Sequence, residues 1–179
     1  MSEQPLPERV DPLRLAHKRG LLEGALGLES LPRLQAAVRG MNGPARVWMR
    51  FDRDSGRTRI EGGISAGVAL TCQRCLEPVV CPVEARFQVE PVTDVASACA
   101  LDPAVEPVLM EDGLLPIHAL VEEEILLALP AVALHEDQAC PVQSRREFTP
   151  EEVEAARRSE HNPFAVLGSL KGEDPGDGE

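Results

Sequence analysis

The sequence predicts an α+β fold: a single domain in which an antiparallel β-sheet is packed by two or three helices. Three observations predict it. Residues 45–90 alternate apolar and polar side chains at period two, in three runs separated by turn residues. Ile117–Leu129 repeats apolar residues at helical spacing and is stopped by Pro130. Between the second and third alternating runs lies a Cys-x-x-Cys knuckle, Cys72-Gln73-Arg74-Cys75, which fits a tight connection between two strands.

The elements follow in order. Residues 1–12 contain three prolines and predict extended chain. Asp11–Arg19 mixes apolar and basic positions without a clear period. Leu21–Leu26 reads as an edge strand weakened by Gly20, Gly24 and Gly27. Ser30 fits the N-cap of a helix over Leu31–Val38, with Pro32 in its first turn and Gly40 past its end. In Ala45–Phe51 the apolar set Ala45, Val47, Met49 and Phe51 alternates with Arg46, Trp48 and Arg50. Asp52–Arg57 supplies turn residues, so a hairpin follows. On the returning strand Ile60, Ile64, Ala66, Val68 and Leu70 face one way, and Arg57, Arg59, Glu61 and Ser65 the other. A third strand places Val79, Cys81, Val83, Ala85, Phe87 and Val89 on its apolar face. Residues 91–113, rich in Pro, Ala and Asp, predict a loop.

After the helix at Ile117–Leu129, Ala131–Leu134 leads as a strand or extended segment to His135 and Cys140. Thr149-Pro150-Glu151-Glu152 is a capping box that opens a thinly apolar helix. Asn162–Lys171 carries Phe164, Leu167 and Leu170 on one stripe. It reads as a terminal segment covering the sheet or as a docking peptide.

Composition narrows the function. The 179 residues suit one domain with a real core. With one Trp, four Phe and no Tyr, that core must be built from Leu, Val, Ile and Ala. The formal net charge is −12, which opposes non-specific binding to a polyanion. The charge is uneven: residues 1–75 carry twelve Arg or Lys against eight Asp or Glu, and the remainder six against twenty-two. The N-terminus lacks the pattern of a secretory signal, and no apolar run nears the ~20 residues of a membrane span. Five cysteines, two in a Cys-x-x-Cys, point to reduced thiols or a metal in a reducing cytoplasm.

Two constellations carry chemistry. Cys72, Cys75, His135 and Cys140 form a Cys₃His set suited to one structural zinc, two thiolates coming from a single turn. A shell closed by four protein ligands leaves no position for a hydrolytic water. Cys81 reads as core and Cys99 has no assigned role. Arg46, Trp48, Arg50, Arg57 and Arg59 share the polar side of the hairpin and suit phosphate contacts with base stacking on RNA. Asp52, Asp54 and Glu61 dilute that patch, and a helix laid over Trp48 would make it an ordinary face. Glu122-Glu123-Glu124 reads as a solvated helix face, with His118 paired to Glu122 one turn away. No phosphate-binding Gly loop, nucleophile elbow or acid/base pair is present.

Four stretches, in this order, resemble the YceD family, the large ribosomal RNA subunit accumulation proteins of bacteria and plastids. They are Asp11-Pro12-Leu13-Arg14 with Lys18-Arg19; Cys72-Gln73-Arg74-Cys75; Leu120–Pro130 leading to His135 and Cys140; and Asn162–Leu167 with Ser169-Leu170-Lys171. The resemblance covers nearly the whole chain. It implies a YceD-like domain over residues 1–171; the acidic, Gly-rich tail at 172–179 reads from its composition as disordered and is peculiar to this chain. It also implies a non-enzymatic ribosome-biogenesis factor that supports accumulation or processing of 23S ribosomal RNA. Such a factor acts by touching RNA, or by binding a basic large-subunit ribosomal protein through its acidic half. Neither a membrane nor a small-molecule substrate is expected. The rival expectation is a metal-dependent RNA-processing nuclease.

Overall fold

The computed structural model describes residues 4–54, 56–136, 139–141, 149–151 and 154. The chain divides into a unit Met1–Val142, described below, and a unit Gln143–Glu179. The expected helix from Thr149 lies largely outside the described residues, and the Asn162–Lys171 segment entirely so.

The first unit begins with Arg9–Val10 (β1), Pro12–His17 (α1) and Leu21–Leu26 (β2). A 3₁₀ turn at Leu28–Ser30 precedes Pro32–Ala37 (α2) and Gly40–Met41 (β3). The long strands are Ala45–Asp54 (β4), Arg57–Thr71 (β5) and Pro78–Val92 (β6). Then come Val95–Cys99 (α3), Glu106–Leu109 (β7), Leu115–Pro116 (β8) and Ile117–Ala128 (α4). The main sheet runs β2-β4-β5-β6-β7, with β3 on the far end of β5, and β1 pairs separately with β8. All pairings are antiparallel except β6 with β7. The expected α+β architecture is thus observed, with the strand alternation intact. Ala45, Val47, Met49 and Phe51 are buried while Arg46 and Arg50 are exposed.

The inner face of the sheet packs against helices. Phe51, Met49, Ile60, Val68, Val83 and Val89 join Leu31, Leu34, Ile117, Val121 and Ile125 in one buried cluster. At roughly 1.5–3 kcal/mol for each fully buried large apolar side chain, this cluster is the main favourable contribution to folding. Two consecutive glycines let aromatic rings lie flat on the sheet. A Cβ on Gly62 would collide with the Phe87 ring on the inner face, and one on Gly63 with the Trp48 indole on the outer face.

Several expectations need correction. Asp11-Pro12 opens a helix, α1: the Asp11 carboxylate accepts the Arg14 N–H at 2.9 Å. At six residues, α1 is too short for a period to show. Ser30 does not cap α2; it ends the 3₁₀ turn, and α2 runs only to Ala37. The loop expected at 91–113 holds α3 and the parallel strand β7. The acidic triplet is not a solvated face, because Glu122 and Glu124 are buried and only Glu123 is exposed. The Glu122 carboxylate accepts the backbone N–H groups of Arg33 and Leu34 at 2.6 and 3.0 Å, and so caps α2 from another helix. His118 does not pair with Glu122; its Nε2 donates to the Leu6 carbonyl at 3.2 Å.

Burial pushes the Glu124 carboxyl above the ordinary range, and the charges of Glu106 and Glu123 push the same way. A raised folded-state value means that the fold favours the protonated form. Its contribution is intact below the ordinary glutamate range and lost as pH rises through the raised value. Glu124→Gln is therefore expected to raise the melting temperature near pH 7 and to leave it unchanged near pH 4, as read by calorimetry at both pH values.

Candidate metal centre and nucleic-acid interface

The knuckle connects β5 to β6. The Cys72 N–H donates to the Glu77 carbonyl and the Leu76 N–H to the Cys72 carbonyl, each at 2.9 Å. Leu76 takes a left-handed φ of 67° to close this turn. The segment after α4 then lies along the knuckle. The Gln73 N–H donates to the Ala133 carbonyl at 2.9 Å, and Arg74 Nη2 to the His135 carbonyl at 2.9 Å. Of the expected strand or extended segment, the strand is not formed, and the run is held by these bonds.

That docking brings all four expected ligands together. The Sγ atoms of Cys72, Cys75 and Cys140 and a ring nitrogen of His135 lie within 4.8 Å of one another. Cys75 Sγ is 3.4 Å from His135 Nδ1, close to the ~3.5 Å edge that tetrahedral Zn–S and Zn–N lengths dictate. His135 Nε2 sits 3.0 Å from the Pro78 carbonyl. A carbonyl only accepts, so Nε2 carries the proton and the Nδ1 lone pair is directed at the sulfurs. The group can hold a metal ion.

The electrostatics favour a thiolate at this corner. Burial would raise the Cys72 thiol, but backbone N–H donors from Cys75, His135 and Arg74 outweigh it and bring the value down to about 5. Burial raises Cys75, and the neighbouring Cys72 and Cys140 sulfurs add to that rise. Crowded thiols that disfavour shared negative charge are the setting a cation relieves. Around them a small second cluster forms from Cys72, Val79, Ala133 and Cys140, with Cys81 packed at its edge. Cys99 is exposed and distinct from it.

The second constellation also shares one surface. In the register Arg46, Trp48 and Arg50 lie opposite Ser65, Gly63 and Glu61, and Arg59 and Arg57 lie opposite Asp52 and Asp54. All five expected RNA-contacting residues are therefore on the outer face. Trp48 is half-buried against Gly63, while Arg46, Arg50, Arg57 and Glu61 on the same face are exposed. Acidic side chains share this face. Arg50 pairs with Glu61 at 3.7 Å, Arg59 with Asp54 at 3.7 Å and Arg57 with Glu90 at 3.8 Å. The Arg50–Glu61 and Arg59–Asp54 pairs are long and exposed at both partners, so they hold little energy and can exchange for phosphate, whereas Arg57 is tied to the buried Glu90. The register adds Glu23 beside Trp48, and Arg86 and Glu84 beyond Gly63 and Ser65. These three were not singled out from the sequence, although period two puts Glu84 and Arg86 on this side.

The fold and site define an α+β protein with a Cys₃His group able to hold a metal and an aromatic–cationic face on its sheet. Comparison with known proteins gives the family. The family model for the large ribosomal RNA subunit accumulation protein YceD matches residues 60–171. A Haemophilus influenzae protein named large ribosomal RNA subunit accumulation protein YceD is 33% identical over 176 residues, covering 96% of this chain and 99% of its own length. The chain belongs to the YceD family. No solved structure matches it significantly. The family description names an accumulation role and no reaction. No helix among the described residues is long and apolar enough to cross a membrane.

Proposed function

We propose that this chain is a non-enzymatic, cytoplasmic ribosome-biogenesis factor that supports accumulation or processing of 23S ribosomal RNA by binding RNA on the outer face of its sheet. The near full-length similarity to a relative named for large ribosomal RNA subunit accumulation carries the biological role. The grouping of Arg46, Trp48, Arg50, Arg57 and Arg59 on one face of the sheet supports direct contact with RNA. The domain is proposed to end near Lys171, where the family match stops, with the acidic tail outside it. Reversing two cations, Arg46→Glu with Arg50→Glu, is expected to cut RNA co-purified from cells at least about tenfold, since phosphate contacts dominate such affinity. Unchanged RNA retention sinks the direct route. A basic ribosomal protein captured equally before and after RNase treatment would then place the role on the acidic half.

The Cys72, Cys75, His135 and Cys140 group is proposed to hold one structural zinc. The second reading, a metal-dependent nuclease, needs an open coordination position that four protein ligands do not leave. Cleavage of precursor RNA by the metal-loaded protein would establish that reading instead.

A further inference from the structure

Among the described residues the outer face carries a groove of about 840 Å³ with Trp48 in its lining. Its polar lining includes Glu23, Arg46, Ser65, Glu84 and Arg86. The backbone of Gly63 supports one side of the indole, because no Cβ stands there. The half-buried Trp48 side chain is part of the groove lining. Around it the register places Glu23 next to Trp48, Ser65 next to Arg46, and Arg86 across from Gly63.

The mixture of charges is informative. A track built for phosphate alone would hold cations and exclude carboxylates, which repel a polyanion. Donors and acceptors set around an aromatic ring that lines a groove match a nucleobase instead. Such a base has a π-face to stack and an edge with both donors and acceptors. A base inside a duplex has that face and edge occupied already. Carboxylates further select among bases, since they accept from an exocyclic amine, as on cytosine N4, and repel a carbonyl oxygen in its place.

We infer that this groove takes one unpaired, amino-bearing base of single-stranded RNA, stacked on Trp48 between the Glu23/Glu84 carboxylates and the Arg46/Arg86 guanidiniums. This rests on the RNA-binding reading above and adds Glu23, Glu84 and Arg86 to it. The amine donates to a carboxylate, and a flanking phosphate accepts from a guanidinium.

Trp48 is the one tryptophan of the chain, so its emission reports this groove alone. The test titrates the full-length protein with short oligocytidylate, oligouridylate and an RNA hairpin duplex. Emission is followed alongside the anisotropy of end-labelled RNA. Oligocytidylate is expected to quench Trp48 saturably and to bind at least about fivefold tighter than oligouridylate, whose ring stacks equally but lacks the amine. The duplex is expected to leave the emission unchanged. Glu23→Gln with Glu84→Gln should bring the two oligonucleotides together. Trp48→Ala should weaken oligocytidylate at least about fivefold, with folding checked by circular dichroism. The wild-type titration needs no variant and so stands even if Trp48→Ala fails to fold. Binding seen by anisotropy with unchanged emission overturns the base groove and leaves RNA binding intact. Equal affinity for the two pyrimidine oligonucleotides overturns the carboxylate selection. No binding of any RNA by folded protein overturns both readings, and quenching by a basic ribosomal-protein peptide in its place would make the groove a protein site.

Discussion

Cys72→Ser is expected to abolish binding of the proposed zinc and to lower the melting temperature by on the order of 10 °C. Cys72 is fully buried at the centre of the second cluster, and the His135 backbone N–H is one of the donors turned toward its sulfur. The segment Ala131–Cys140 otherwise rests on the knuckle through a few hydrogen bonds and four small buried side chains. That is little apolar area to offset the entropy of ordering the segment. The zinc proposed to join the knuckle, His135 and Cys140 would supply what the small cluster lacks. Elemental analysis of native protein should find one zinc per chain, and Cys72→Ser close to none. Hydrogen exchange should quicken at the knuckle and at Ala131–His135 while β4 and β5 stay protected, because the main core is separate. A metal-free native protein with the same melting temperature as the chelator-treated form would remove the zinc assignment.

Glu122→Ala is expected to destabilise the first unit by about 3 kcal/mol, read as a lower denaturation midpoint with an unchanged slope. The carboxylate is the acceptor for two N–H groups in the first turn of α2, and Leu34, one of the donors, is fully buried. Without it the buried Leu34 donor is left unpaired, and α2 has no side-chain cap of its own. Glu122→Gln keeps an accepting oxygen and should lose about half as much. Glu123→Ala, one residue away and exposed, should fall within about 0.5 kcal/mol of wild type. Equal effects at Glu122 and Glu123 would show that the cap carries no weight.

Much of this was legible in the chain. The β4–β6 sheet was readable because period two reports which side of a strand meets the core, and one buried face is enough to impose it. The knuckle was readable because two thiols three apart in a turn already make half a metal shell. The α4 helix announced itself through Ile117, Leu120, Val121 and Ile125, and through Pro130. Short elements did not. The six residues of α1 and the four of β7 are too few to develop a period, and β7 contains a proline. Glu122 was misread because helical spacing alone counts a charged residue as outward, whereas a helix end packed beside it offers unpaired N–H groups that make burial favourable.

By itself, the sequence determined which residue types alternate, where the chain turns, and which four side chains have the chemistry to share an ion. These are local properties, decided by backbone period, turn preference and donor chemistry. Only the tertiary structure decided that His135 and Cys140 reach the knuckle, that Glu122 caps a helix nearly ninety positions away in the chain, and that Trp48 lies on Gly63 between arginines and carboxylates. Each of those is a contact between distant segments. Its energy depends on what packing brings alongside, and no single stretch of sequence contains that information.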